Sequence, residues 1–369
     1  MLTNLTVTNF RNLKSVTLEG LGRMTLIGGK NGTGKTTLLE ALWLLSGPDL
    51  PELTARLNAF RGLRTFVPEM IFHDIFHNFD TRRHIGISAQ GDWNNSPRKL
   101  EIYLRDRQQV GMIRSDALEK ASIERLTRPQ TEGEFEIVFS YLHDNKKKYT
   151  SRAWWVAAQM PVGPGVSLTD EGVRQERQVV PKRPTSVFTA AVHREDLQTI
   201  ASRFGRFQLE GIDEKILKFI HPLEPRLKEL TLITINNIPV IHANIDGMNR
   251  PVPVQFLGEG LNRMLGLVLS IGEVKGGLLL IDEIENGLHH SVQEEVFSIL
   301  LDLAKSFDVQ IFATTHSNEC IRAAHRTLRE YGPQELAFYR LDRVNEEVKV
   351  VSFDDEMLET AIDFSMEIR

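Results

Sequence analysis

The chain opens on alternation. Leu5 and Val7 sit among polar neighbours, as do Val16 and Leu18, and this period of two predicts short half-buried strands. Arg23–Gly28 (RMTLIG) reads as a third strand that stops at glycines. From Gly34 the spacing changes. In GKTTLLEALWLLSG the leucines, Ala41 and Trp43 occupy most sides of a helix, which predicts burial between layers. Residues 50–80 read as helical or irregular. Ile85 and Ile87, then Leu100, Ile102 and Leu104, then Phe135, Ile137 and Phe139 return to period two, the pattern of an antiparallel sheet with one face covered. Pro161, Gly163, Pro164, Gly165, Pro181 and Pro184 punctuate the next stretch and predict a long mobile loop or linker near 160–184.

Helices are expected near 195–204 and 213–220, then a hairpin over 230–235 and 240–245. Gly260–Ile271 reads as a helix. Leu278–Glu283 (LLLIDE) is a short aliphatic run ending in two acids, which suits a central parallel strand buried on both faces. Val292, Val296, Ile299, Leu300, Leu303 and Ala304 fall at helical spacing, and Val309–Thr314 is a second buried strand. Leu336–Arg340 and Val348–Phe353 read as closing strands. Strands and helices in this order predict an α/β fold with a mixed sheet core.

Composition narrows the class. The 369 residues are enough for two ordinary domains, and 41% are hydrophobic, which excludes a disordered tail. The net charge of -5 argues against a generally basic nucleic-acid coat but leaves room for a local basic patch. Cys320 is the one cysteine, which excludes an internal disulfide and a four-cysteine zinc site and suits a reducing cytoplasm. Apolar runs such as Met264–Ile271 are far shorter than the ~18 residues that span a bilayer. MLTNLTVTNFRNLK has no continuous apolar segment of the kind a secretory signal needs. A cytoplasmic protein without a membrane partner is the expectation.

The chemistry concentrates in GKNGTGKT, Gly29–Thr36, which matches the phosphate loop G-x-x-x-x-G-K-[ST]. A phosphate chain needs backbone N–H groups close around it. Gly29, Gly32 and Gly34 let the backbone wrap that tightly, with Lys30, Asn31 and Thr33 between them. The loop runs into a helix N-terminus, whose free N–H groups and dipole favour anions, so Thr37 also lies at the phosphates. Lys35 would reach the β- and γ-phosphates and the Thr36 hydroxyl would bind Mg²⁺. The bland alternative, a chance glycine turn, does not explain why a strand precedes the loop and a helix follows it.

LLLIDE supplies the second element. Asp282 at the end of a buried strand would hold the Mg²⁺, and Glu283 would orient and polarise the attacking water. An exposed acidic pair at a strand end is the alternative. His316, in TTHS after the VQIFA strand, sits where ligands collect in open α/β sheets and could meet the γ-phosphate or the water, although a structural histidine is also possible there. LGEGLNR, Leu257–Arg263, places Gly258 and Gly260 at a helix start, a weak anion-site signal by itself. The long interval between Lys35 and Asp282 must hold a separate lobe. The ATPase core is therefore expected over 1–49 and 186–369, with an inserted β/α lobe over 50–185.

With these segments in hand, the chain resembles the ABC-type ATPases of the RecF, SMC and OLD group, on NFRNLK, GKNGTGKTTLLEAL, LGEGLNRML, LLLIDEIENGLHHSVQ and FATTHSNE. Its likeness is greatest to small bacterial AAA/ABC ATPases of the OLD-like kind, often linked with anti-phage defence. The resemblance covers both ends of the chain and is vague between Leu50 and Thr185. It implies a P-loop NTPase of ABC-ATPase head type with an N-terminal antiparallel β part. It implies a head-to-tail homodimer, or a higher oligomer, that sandwiches ATP. Gly258, Glu259 and Gly260 would act in trans on the γ-phosphate. Glu285–His289 (ENGLH) would be the loop at the dimer seam, and Arg11 and Asn12 would lie near the nucleotide. LGEGL stands where transporters carry LSGGQ, and Glu259 puts a carboxylate near the expected phosphate. The family's glutamine after the first helix has no clear counterpart among His77, Asn78 and Gln90. The segment after Ser317 is too short for the Toprim nuclease domain of OLD nucleases, so any nuclease activity is expected on a separate effector chain.

Weaker features complete the reading. His73 and His77 stand four apart, but no third zinc ligand is evident. Lys146, Lys147 and Lys148, with Arg152, Trp154 and Trp155, could contact nucleic acid, but a charged hairpin tip before a core strand is the simpler reading. Asp354, Asp355 and Glu356 read as a solvated acidic face. The functional expectation is an ATP-hydrolysing switch acting on a nuclease-like effector, DNA, or both, in defence or DNA repair. The alternatives are an ATP-binding scaffold with negligible turnover and, less well supported, a transporter ATPase subunit.

Overall fold

A computed structural model describes residues 1–61, 72–91, 97–106, 132–144, 147–156, 173–181, 183–191, 196–332, 335–345, 347–364 and 366–369. The chain starts with an antiparallel hairpin, β1 (Leu2–Phe10) and β2 (Leu13–Glu19), followed by β3 (Met24–Gly29) and the helix α1 (Lys35–Ser46). A short helix α2 (Leu53–Phe60) precedes the strands β4 (Ile85–Gly91), β5 (Arg98–Asp106), β6 (Glu132–His143), β7 (Lys147–Val156), β8 (Val173–Glu176) and β9 (Ser186–Thr189). Helices α3 (Leu197–Leu209) and α4 (Asp213–Ile220) lead into β10 (Leu227–Ile235), β11 (Ile238–Ile245) and β12 (Val252–Pro253). Then come α5 (Glu259–Glu273), β13 (Leu278–Ile281), α6 (Gln293–Ser306), β14 (Gln310–Thr314), α7 (Asn318–Arg329), β15 (Leu336–Val344), β16 (Glu347–Phe353) and α8 (Asp355–Asp363).

Two larger sheets organise these elements. The first is antiparallel in the order β2-β1-β4-β5-β6-β7-β8, so the strands after α2 extend the sheet that the N-terminal hairpin begins. The second runs β16-β15-β3-β14-β13-β9, and β9, β13, β14, β3 and β15 are mutually parallel. A small sheet of β10, β11 and β12 stands apart.

The sequence pattern explains the layering. In β1 and β2 the paired Leu5↔Leu18 and Val7↔Val16 point one way, into a core shared with Leu38, Leu42 and Leu45 of α1. That helix is apolar on most sides because it lies between the sheets, as its spacing predicts. The aliphatic run of β13 divides by parity. Leu278 and Leu280 join the α1 side, while Leu279 and Ile281 join a second core with Met264 and Val268 of α5 and Leu300 of α6. A strand covered on both faces has no place for alternation.

One buried polar residue ties the sheets together. The Leu2 N–H donates to Gln310 Oε1 at 2.7 Å, and Gln310 Nε2 donates to the carbonyls of Leu2 (2.9 Å) and Gly22 (2.8 Å). Every polar atom of this carboxamide is thereby satisfied in the core.

Helix α7, NECIRAAHRTLR, is absent from the expected elements, although its seam of Cys320, Ile321, Ala323 and Ala324 against the core falls at helical spacing. Helix α8 starts from the acidic run. Asp354 caps it by accepting the Met357 N–H at 2.8 Å, and Asp355 and Glu356 occupy the first turn, where the helix dipole favours negative charge. Most of the expected linker near 160–184 lies outside the described residues, and its described part contributes the edge strand β8. Lys146 and the Trp155 side chain also lie outside them.

Candidate nucleotide-binding site

The carboxyl ends of β3, β13 and β14 are adjacent in the parallel sheet, so the loops that follow them gather at one edge. The loop after β3 bends tightly. A Cβ at Gly29 (φ 137) would lie 2.6 Å from the Leu341 carbonyl oxygen, and one at Gly34 (φ 100) 2.6 Å from Leu13 Cδ2. Only glycine fits either position. The Thr33 hydroxyl donates to the Lys30 carbonyl at 2.9 Å and closes the turn.

Lys35 folds back over this loop. Its Nζ donates to the carbonyls of Gly29 (2.6 Å) and Lys30 (3.0 Å). Burial lowers the ammonium pKa from its ordinary value, while Asp282, Glu283 and Glu285 pull it the other way. The Thr36 hydroxyl donates to Asp282 Oδ1 at 2.9 Å and approaches Oδ2 at 3.2 Å, and Thr314 Oγ1 donates to Oδ1 at 2.6 Å. Asp282 is only 7% exposed. Burial raises its carboxyl above the usual range, the hydrogen bonds from Thr314 and Thr36 oppose the rise, Glu283 adds to it and Lys35 offsets it.

Glu283 follows in a left-handed conformation (φ 48), rare for a non-glycine residue. Its N–H donates to Thr314 Oγ1 at 2.8 Å, and its Oε2 accepts from Asn286 Nδ2 at 2.7 Å. The His316 N–H donates to Glu285 Oε1 at 2.8 Å, and the ring Nδ1 lies 3.1 Å from the same oxygen and 3.9 Å from Glu283 Oε1. The backbone of the histidine is thus held by Glu285, and its ring stands beside Glu283.

Asn12 locks the far side of the loop. Its Nδ2 donates to the Gly32 carbonyl at 3.1 Å, and its Oδ1 accepts from the Thr37 hydroxyl at 3.0 Å. The Arg11 guanidinium turns instead into a buried ionic cluster. It meets Glu40 at 3.0 Å and Asp74 at 3.7 Å, and donates to Asn58 Oδ1 at 3.1 Å. Arg61 Nε closes on the other Glu40 oxygen at 2.8 Å. Burial lowers the Arg11 pKa, partly offset by Glu40, and raises that of Asp74, partly offset by Arg11.

These residues surround one cavity of about 760 Å³. Of the sequence-predicted set, Arg11, Asn12, Asn31, Gly32, Gly34, Lys35, Thr36, Thr37, Asp282 and Glu283 line it. Gly29, Lys30 and Thr33 act through the loop's own hydrogen bonds. His316, beside Glu283, and Gly258, Glu259 and Gly260 are not part of the wall. Gly258 precedes α5 and its carbonyl accepts from Asn262 Nδ2 at 2.7 Å, while Gly260 packs against the Gly287 carbonyl. Among His77, Asn78 and Gln90, only Asn78 is in the cavity wall. Glu40, Asn58, Arg61, Asp74 and Phe79 escape the motif reading. Glu40 alone had a local signal, a charge inside an otherwise apolar helix.

The donor set fits a magnesium ion. One buried carboxylate beside one hydroxyl offers hard oxygens, and a small cation that keeps waters and phosphate oxygens needs few protein ligands. Among the described residues no group of three or more His, Cys, Asp and Glu could hold a metal, so a cage made wholly of such side chains is not offered.

Residues 24–322 match the family model AAA_21, described as "AAA domain, putative AbiEii toxin, Type IV TA system". The chain belongs to the AAA_21 family. Parts of it are similar to OLD nuclease and RecF proteins, and its fold joins an α/β core to an antiparallel β part. AAA_21 membership covers the phosphate loop, the acidic strand end and His316 in one span. An ATP/GTP phosphatase of Helicobacter pylori is 24% identical over 350 residues, covering 89% of each chain. An OLD nuclease of Thermus scotoductus is 40% identical over 92 residues, which is 25% of this chain but only 15% of the nuclease. The solved SMC head bound to the C-winged helix domain of ScpA aligns with 98% of this chain and 99% of its own, at 14% identity and a TM-score of 0.49. No helix among the described residues is long and apolar enough to cross a membrane.

Proposed function

We propose that this chain binds and hydrolyses ATP with Mg²⁺ and uses the cycle as a switch. The observation that carries the reading is the convergence of Lys35, Thr36, Asp282 and Glu283 on one cavity from two distant parts of the sequence. Lys35 is drawn by the charge of the phosphates, in exchange for the loop carbonyls it now contacts. The backbone N–H groups at the start of α1 receive the remaining phosphate oxygens. Thr36 and Asp282 would hold the Mg²⁺, which when bound neutralises phosphate charge. Glu283 polarises the attacking water, and His316, whose ring stands beside it, assists at the terminal phosphate.

Gly258, Glu259 and Gly260 lie outside the cavity wall, which supports a role in the site of a second copy. ATP would then close a head-to-tail homodimer and hydrolysis would open it. We assign residues 50–185 the part of an inserted lobe that passes this change to a separate effector, nuclease-like, or to DNA. Kinship with the OLD and RecF proteins supports a cytoplasmic role in anti-phage defence or DNA repair.

Phosphate release with and without Mg²⁺ tests the reading. Wild type should turn over ATP, Glu283→Gln should bind ATP but release almost no phosphate, and Lys35→Ala should lose binding. A wild type that binds ATP yet releases no phosphate under any condition would make the chain a scaffold. A Glu283→Gln variant as active as wild type would remove Glu283 from the mechanism.

A further inference from the structure

The peptide that joins Asp282 to Glu283 is held at both of its polar ends. Its carbonyl, that of Asp282, accepts from Arg263 Nη2 at 3.1 Å, and its N–H, that of Glu283, donates to Thr314 Oγ1 at 2.8 Å. The two anchors come from different elements, Arg263 from α5 and Thr314 from the end of β14. The strand pairing of β13 with β14 and β9 ends at Ile281, so this carbonyl lies past the last ladder pair. A guanidinium fills the acceptor with a charge-assisted bond.

A planar peptide can rotate as a unit, changing ψ of the residue before it and φ of the residue after it. Here the residue after it is Glu283, whose left-handed φ of 48 persists only where its surroundings impose it. Rotation would swing the Glu283 side chain, while the Asp282 carboxylate keeps its own bonds from Thr36 and Thr314. The start of α5 also rests on the loop that continues from Glu283. A Cβ at Gly287 (φ 75) would lie 2.9 Å from Glu259 Cγ, and one at Gly260 3.0 Å from the Gly287 carbonyl oxygen. Helix and loop pack without slack, which gives the guanidinium a fixed base.

We propose that Arg263 is a positioning residue for hydrolysis. It sets the rotation of the Asp282–Glu283 peptide and so aims the Glu283 carboxylate at the water. Arg263 is not among the residues that line the cavity, so it acts through Glu283 and not on the nucleotide. The inference deepens the reading of Glu283 given above and rests on it. Lys35 and the phosphate loop hold the phosphates independently, so loss of Arg263 lowers turnover and spares affinity.

Steady-state phosphate release and equilibrium ATP binding, both with Mg²⁺, are measured on the full chain as wild type, Arg263→Gln, Arg263→Lys, Glu283→Gln and the double variant Arg263→Gln with Glu283→Gln. Arg263→Gln should lower kcat about 100-fold, the scale of loss for a misplaced reacting group, and keep ATP affinity within about twofold of wild type. Arg263→Lys, which retains a cationic donor, should recover about tenfold of that loss, and it carries the comparison if Arg263→Gln does not fold. In the Glu283→Gln background no carboxylate remains to be aimed, so adding Arg263→Gln should leave the residual slow rate unchanged. Unchanged kcat in Arg263→Gln, affinity lowered in step with kcat, or a further loss of similar size in the double variant overturns the assignment. A fully active Arg263→Gln beside an inactive Glu283→Gln removes Arg263 alone and leaves Glu283 in place. Full turnover by Glu283→Gln overturns the parent reading, and the positioning role falls with it.

Discussion

Thr36 and Asp282 are 246 residues apart in sequence and share a hydrogen bond of 2.9 Å. The pair joins the first turn of α1 to the end of β13, and so brings the phosphate loop and the acidic strand end into one site. A hydroxyl donating into a buried carboxylate is a poised metal-binding arrangement, because both groups can turn toward a cation that replaces their mutual bond. Thr36→Val should therefore weaken Mg-ATP binding by about tenfold, the loss of a charge-assisted contact, with little effect on ATP binding in EDTA. Calorimetric titration with and without Mg²⁺ checks this, and equal losses in both conditions would remove Thr36 from the metal site.

The ionic cluster in the cavity wall is structural. Glu40 is 1% exposed and serves both Arg11 and Arg61. Glu40→Ala would leave the buried Arg11 guanidinium without its nearest partner, and breaking such a pair costs about 3–5 kcal/mol. Urea unfolding followed by tryptophan fluorescence should show a much lower midpoint. An unchanged midpoint would mean that Asp74 and Asn58 suffice.

Cys320 is 1% exposed at the buried seam of α7. Burial raises its thiol pKa far above the ordinary value, and Glu285 adds to the rise while a hydrogen bond with Thr315 opposes it. The reactive thiolate forms only above that raised pKa, so at pH 8 the folded protein holds almost none, whereas an unfolded chain holds a substantial fraction. A thiol reagent at pH 8 should react slowly with native protein and at once in denaturant. Rapid native reaction would show that α7 opens readily.

Phe256 is 80% exposed, two residues before Gly258. An apolar side chain there is suited to burial when the Gly258–Gly260 segment meets a second copy. Phe256→Asp should abolish ATP-dependent association while each monomer still binds ATP. Dimers of normal stability in that variant would place the seam elsewhere.

Much of this site is legible in the sequence, and the reason is local. The phosphate loop needs glycines at fixed offsets, and a strand buried on both faces must be continuously apolar, so GKNGTGKT and LLLIDE announce themselves. Phe79 and Arg61 carry no such mark. Their positions in the cavity wall come from a turn pinned to Arg11 and from a carboxylate on α1, contacts that sequence spacing does not encode. Helix α7 is a different case, since Cys320, Ile321 and Ala324 do fall at helical spacing, but small apolar residues and a charged outer face leave the segment polar on average. Arg11 lines the cavity, yet its guanidinium is committed to Glu40, Asn58 and Asp74.

The claim on which the account turns is that ATP draws two copies together across the cavity. Sedimentation velocity of Glu283→Gln measures this directly, because a variant that binds but does not hydrolyse should hold the closed state. The account predicts a monomer without nucleotide and a dimer with Mg-ATP, a shift abolished by adding Lys35→Ala. A single species of unchanged mass with and without saturating Mg-ATP would contradict it.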